Sequence, residues 1–234
     1  MSDAQLLAAR LQGVRERVRQ VAEHAGRDPA TVRIVAVTKG HPASTVDAAL
    51  EAGVPDIAEN RVQEAEAKRA ELGDRAVTWH MVGHVQRNKA RSAAATFDVV
   101  HSIDSARLAT ALDRHRGAAA ARMRVLIEVD LTGIPGRSGV GTDAASALLT
   151  ALNELPALEP IGLMTIAPPG SPDTARDCFA RLRGLRDRLH GEQGFPLPEL
   201  SMGMSDDFEI AIAEGSTMVR LGRVLFGDRG GPQP

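Results

Sequence analysis

Residues 32–60 read VRIVAVTKGHPASTVDAALEAGVPDIAEN. The run 32–37 is apolar and β-branched, as a strand buried on both faces is, and it stops at Lys39 and Gly40. Residues 43–52 carry an amphipathic helical period and close on Gly53, a residue suited to a helix end. A second short apolar run ends in Glu59 and Asn60. The stretch is a strand–helix–strand unit with a lysine at the carboxyl end of its first strand. In parallel α/β sheets and barrels, that end is where ligands bind.

The alternation continues on both sides. Before it, residues 3–25 place Leu6, Leu7, Leu11, Val14, Val18 and Val21 at helical spacing, which predicts a long amphipathic helix on the outside of the domain. After it, apolar runs predict strands at 77–82, 97–103, 123–131, 161–166, 199–202 and 218–221. Helical patterns at 61–72, 86–95, 105–116, 142–155, 173–190 and 206–213 separate them. Eight strands alternating with helices make the fold class α/β, a (β/α)8 TIM barrel with an extra N-terminal helix. A doubly wound open sheet is the alternative, and the chain has no GxGxxG turn to support it. One domain is expected over 1–227, with a disordered Gly- and Pro-rich tail over 228–234.

The 234 residues include 28 basic and 30 acidic side chains, a net charge of −2. Such a chain has no basic field for nucleic acid or an anionic membrane, so a small-molecule partner is expected. A single cysteine, Cys178, excludes an internal disulfide and fits a buried packing role. The first 20 residues lack the layout of a signal peptide, and no run reaches transmembrane length, so a cytoplasmic location is expected. There is no tyrosine, which excludes any mechanism that uses a phenol as acid or base.

Three features point to chemistry. Lys39, if it sits among apolar neighbours at a barrel mouth, is placed to attack a carbonyl carbon; on a solvated loop it is inert. Arg220 lies inside the eighth strand, on the face it shares with Met218 and Gly222 and opposite Val219 and Leu221. A guanidinium facing the interior needs a partner, either a carboxylate such as Glu128 or Asp130 or a ligand atom. Third, Ser201, Ser205 and Gly222 put small residues after strands seven and eight, a recurrent phosphate site in barrels. Ser205 alone reads as a helix cap. His80 and His84 straddle a strand end without an HExxH helix, so no metal is expected and His80 reads as a hydrogen-bonded wall residue. The loop GIPGRSG, residues 133–139, is a weak phosphate signal. A lysine for an aldehyde, small residues for a phosphate and an arginine for a heteroaromatic nitrogen together suit pyridoxal 5'-phosphate (PLP).

VAVTKG around Lys39, AENRVQEAEAK from Ala58, WHMVGHVQRNKAR from Trp79, GLMTIAP from Gly162 and LSMGMSDDFEIAIAEGSTMVRLGRVLFG from Leu200 resemble the pyridoxal phosphate homeostasis protein family, in order and over most of the chain. The resemblance implies a barrel like the amino-terminal domain of alanine racemase, with PLP held as an internal aldimine on Lys39. It implies phosphate contacts at Ser201 and the backbone around Gly222, and Arg220 against the pyridine nitrogen. Asn60 and Met164 fall in family blocks near the cofactor. Where the family usually has Phe-Gly before Glu-Asn, this chain has Ile57 and Ala58.

The implied function is a non-catalytic PLP-binding protein of PLP and amino-acid homeostasis, with apo PLP-dependent enzymes as recipients and a monomeric barrel. Three alternatives stay open: a PLP-dependent racemase or lyase with Lys39 as sole base, a Schiff-base aldolase without cofactor, and an interaction module. An arginine beside the ring nitrogen disfavours its protonation and weakens the ring as an electron sink, and two-base racemisation lacks its tyrosine.

Overall fold

The computed structural model describes residues 3–117 and 121–227; the expected tail at 228–234 lies outside them. A long helix α1 (Asp3–His24) precedes β1 (Arg33–Val37), α2 (Ala43–Glu51), β2 (Asp56–Glu59), α3 (Val62–Leu72) and β3 (Thr78–Met81). Then follow α4 (Ala90–Thr96), β4 (Val99–Ile103), α5 (Ala106–Arg116), β5 (Met123–Glu128), α6 (Thr142–Asn153) and β6 (Leu158–Met164). The last elements are α7 (Pro172–Gln193), β7 (Glu199–Ser201), α8 (Phe208–Ala213), β8 (Met218–Leu221) and α9 (Arg223–Phe226). Each strand pairs with its sequence neighbours, and β8 pairs in parallel with β1 to close an eight-stranded barrel. In that closing seam Arg220 lies opposite Val35.

Period-two alternation sorts the strand residues into two layers. Ala36, Ile57, Met81, Val100, Ile127, Leu200 and Leu221 point outward into the apolar layer under the helices. Val35, Val37, Ala58, Val99, Leu126, Met164 and Met218 point inward and form a smaller apolar cluster. The interior is only partly apolar, because His80, His101, Ser201 and Arg220 are also buried. Ile57 joins the outer layer and Ala58 the inner one, so of the two unusual residues Ala58 is the one on the interior side.

Helix α1 buries Leu7, Leu11, Val14, Val18 and Ala22 on one face. It packs on α8 and α9, with Arg17 bonded to Glu209 at 2.6 Å and stacked 4.6 Å from the Phe208 ring. Arg27, just past α1, donates to Ile212 and Ser216 carbonyls and ties this helix to the last β/α unit. Among the described residues no helix is long and apolar enough to cross a membrane.

Departures from expectation include three boundary shifts and one additional element. Strand β5 ends at Glu128 rather than 131, where Val129 bridges Val140 across the Gly-rich loop and the Asp130 N–H turns to the Val140 carbonyl. Strand β6 starts three residues early, at Leu158. Helix α8 starts at Phe208 rather than 206, because the Asp207 carboxylate accepts the Met204 N–H at 2.6 Å and holds a turn there. The four-residue α9 was not expected at all.

Candidate functional site

A cavity of about 410 Å³ opens at the carboxyl ends of the strands. Its walls come from the segments after β1 (Lys39, His41), β2 (Asn60), β3 (Val82, Gly83) and β7 (Met204, Ser205, Asp206). Arg220, Gly222 and Arg223 close the side formed by β8 and α9. A groove of about 470 Å³ lies at the opposite end, between α1 and the starts of β1 and β2. It holds no lysine and lies where barrel stability, not ligand chemistry, is usually set.

Lys39 is exposed and makes no hydrogen bond or ion pair among the described residues. The surrounding backbone is fixed instead. Thr38 Oγ1 donates to Glu59 Oε1 at 2.5 Å, and Lys68 Nζ donates to the same oxygen at 2.5 Å and to the Thr38 carbonyl at 2.7 Å. On the other side of Lys39, the Gly40 N–H donates to Glu64 Oε1, which also lies 3.4 Å from Lys68. Glu59 is fully buried and burial raises its pKa, against the pull of Lys68 and Thr38. Both neighbours of Lys39 are thus clamped by carboxylates from β2 and α3 while its own side chain is left to reach across the cavity.

Arg220 is 5% exposed, and burial pushes its pKa down to about 10, so it stays charged at neutral pH. Its protein partners are neither of the two carboxylates, Glu128 and Asp130, that the sequence offered beside a ligand atom. Nη1 donates to the Ser201 carbonyl at 2.7 Å and to Ser201 Oγ at 2.8 Å, and Nη2 donates to the Thr165 carbonyl at 2.9 Å. Glu128 and Asp207 act on it only through their field. Carbonyl dipoles satisfy the cation at the floor, and of its five N–H groups two, on Nε and Nη2, have no partner among the described residues.

Of the residues singled out in the sequence, Lys39, Asn60, Arg220 and Gly222 line this one cavity. Ser201 and Met164 are fully buried and do not border it; Ser201 lies beneath Arg220 and Met164 in the interior apolar cluster. Ser205 does border the cavity and is not a cap of α8: its Oγ accepts the Val224 N–H at 3.3 Å. Gly203 makes that placement, with a φ of +95° and a Cβ that would fall 2.6 Å from Ala211 Cβ. Gly83 packs so closely on Asn60 that a Cβ would fall 2.3 Å from its carbonyl oxygen. His84 bonds Asp104 at 3.0 Å, while His80 points inward to Asp56 and His101. Sequence reasoning missed His101, Glu59, Glu64 and Lys68; the last three stood inside the quoted block AENRVQEAEAK, whose i, i+4 carboxylate and lysine were the available signal.

Residues 10–230 match the family described as alanine racemase, N-terminal domain. A pyridoxal phosphate homeostasis protein of Pseudomonas aeruginosa is 43% identical over 224 residues, covering 95% of this chain and 96% of its own. The chain belongs to the pyridoxal phosphate homeostasis protein family. The family member of Escherichia coli K12 is 38% identical, covering 95% of this chain and 97% of its own. Among solved structures, PipY of Synechococcus elongatus PCC7942, determined with PLP bound, superposes with a TM-score of 0.84 at 39% identity, covering 94% of this chain and 100% of its own. The barrel is therefore of the alanine racemase N-terminal type.

Proposed function

We propose that the chain binds PLP in the mouth cavity and serves PLP homeostasis as a carrier rather than as an enzyme. The observation that carries this reading is one cavity with, among the described residues, an unpaired lysine on one side and a buried guanidinium with two unused N–H groups on the other. When bound, PLP supplies an aldehyde that a lysine amine captures with loss of water, and a ring nitrogen that accepts a hydrogen bond. The residues fit it. The cavity falls within the range of roughly 300–1,000 Å³ usual for small-ligand sites. The chain's lysines are Lys39, Lys68 and Lys89, and among the described residues Lys39 alone lines the cavity.

Arg220 would hold the ring nitrogen of bound PLP and, as a fixed cation, would disfavour its protonation. Ser205 has its O–H free to donate to the phosphate, because its oxygen is already used as an acceptor, and Arg223 adds a positive charge beside it, held by Asp206. We assign the phosphate to Ser205, Gly222 and Arg223, and give Ser201 the task of holding Arg220 from below. Asn60 forms the wall near Lys39, and Met164 supports the floor from the interior.

The carrier reading rests on what surrounds Lys39. There is no tyrosine to act as a second base, and an unprotonated ring stabilises carbanions poorly. The open mouth also suits release of PLP to recipient apoenzymes. A monomer in the cytosol fits a single, buried cysteine and a surface on which Ile134 and Met204 are the exposed large apolar side chains among the described residues. Equilibrium dialysis against PLP, run beside an amino-acid racemisation and elimination assay, tests the proposal. Stoichiometric binding without turnover supports it; turnover at ordinary enzyme rates, above about 1 per second, contradicts the carrier reading.

A further inference from the structure

A continuous file of polar side chains crosses the barrel interior beneath the cavity. It starts at Arg220 on β8, whose Nη1 donates to Ser201 Oγ on β7 at 2.8 Å. Ser201 Oγ lies 2.8 Å from His101 Nδ1 on β4, and His101 Nε2 lies 2.8 Å from His80 Nδ1 on β3. His80 Nε2 meets Asp56 Oδ1 on β2 at 2.9 Å, at the opposite end of the barrel. The two histidines and Ser201 are fully buried.

The chemistry of these atoms allows one direction for the whole file. The Asp56 carboxylate accepts, so His80 Nε2 carries a proton. Burial, opposed by Asp56, lowers the His80 pKa, and burial lowers that of His101 well below the ordinary value, so both rings are neutral. His80 Nδ1 is then an acceptor and His101 Nε2 a donor. His101 Nδ1 in turn accepts, and takes the Ser201 hydroxyl proton. Ser201 keeps a lone pair for Arg220. Each of the four hydrogen bonds is satisfied once, and all of them run from the guanidinium towards the carboxylate.

We propose that His101 and His80 are positioning residues, which act through Ser201 to hold the Arg220 guanidinium in one plane and present its remaining N–H groups to the cavity. The proposal rests on the PLP reading for its purpose, but not for its geometry. With an apolar side chain at His101, Ser201 Oγ would be free to turn from Nη1, and the guanidinium would be held by the Ser201 and Thr165 carbonyls without its side-chain brace. The polar file removes that freedom at the cost of burying two imidazoles inside a barrel.

The test uses the full chain without and with PLP. In the ligand-free protein, nitrogen-15 spectra of the imidazoles are expected to show the Nε2–H tautomer for both His80 and His101, and separate, slowly exchanging Arg220 Nη signals. His101→Leu is expected to collapse those Arg220 signals into one and to weaken PLP binding by about tenfold. His101→Gln, which offers an acceptor to Ser201 and a donor to His80, is expected to restore both. An Nδ1–H tautomer at either ring, or a His101→Leu protein whose Arg220 stays locked, overturns the proposal. Failure of the wild-type protein to take up PLP overturns the functional reading instead, and the nitrogen-15 spectra still decide the file. If His101→Leu does not fold, the wild-type tautomers and the same Arg220 signals in Ser201→Ala, expected to merge, give the answer.

Discussion

Lys68 carries its charge into a place where water does not reach, 5% exposed and 2.5 Å from a fully buried Glu59. Breaking such a pair from one side strands the other charge, at roughly 3–5 kcal/mol, whereas removing both is far less harmful. Lys68→Met is therefore expected to lower stability by about 3 kcal/mol in urea unfolding, and Lys68→Met combined with Glu59→Gln to recover most of that loss. A single-variant cost below about 1 kcal/mol would show that the pair is solvated and does not clamp the Lys39 loop. Glu128 makes a second prediction. Burial and nearby Asp104 raise its pKa from 4.5 to about 7, so between those values the folded state binds more protons than the unfolded chain. Its contribution is fully present below pH 4.5 and is lost as pH rises through 7. Glu128→Gln, which never ionises, should gain stability over wild type by about 2 kcal/mol between pH 5 and pH 8; equal stability differences at the two pH values would refute the shift. At this scale the sequence showed Lys39 and Arg220, whose positions at strand ends are local facts. It did not show His101 or Ser201 as members of one file, because their contact spans 100 residues of chain and leaves no periodic trace.

Among the elements, strands and long helices were legible because their apolar periods are strong, and the closed barrel followed from counting them. Two of the misplaced boundaries share a cause: a contact within the adjoining loop captures the terminal residues. Asp207 bonds Met204 and delays α8, and Val129 bridges Val140 where β5 ends. Helix α1 is the element whose role needed the structure, because its apolar stripe says that it packs but not where. With Leu11 2% exposed on the face against α8 and α9, Leu11→Ala is expected to cost about 2–5 kcal/mol, read from thermal or urea unfolding. The loop after β3 gives a sharper case. Gly83→Ala forces a Cβ into the Asn60 main chain and should shift the Asn60 wall, weakening PLP binding with only modest loss of stability. Unchanged binding would remove Asn60 from the site.

For the whole molecule, the barrel separates two tasks. Its outer apolar layer holds the fold together, and its interior gives up part of its apolar packing to a polar file that ends under the cavity. The sequence suggested strands buried on both faces and so an apolar interior; His80 was read as a hydrogen-bonded wall residue, and His101 was not singled out. The central claim, that Lys39 is the residue that captures PLP, is tested most directly by reducing the PLP-loaded protein with borohydride, following the visible spectrum and mapping the labelled peptide. The account predicts one stable adduct, on Lys39, with Lys68 and Lys89 unmodified. An adduct on either of those lysines, or none at all, would contradict it.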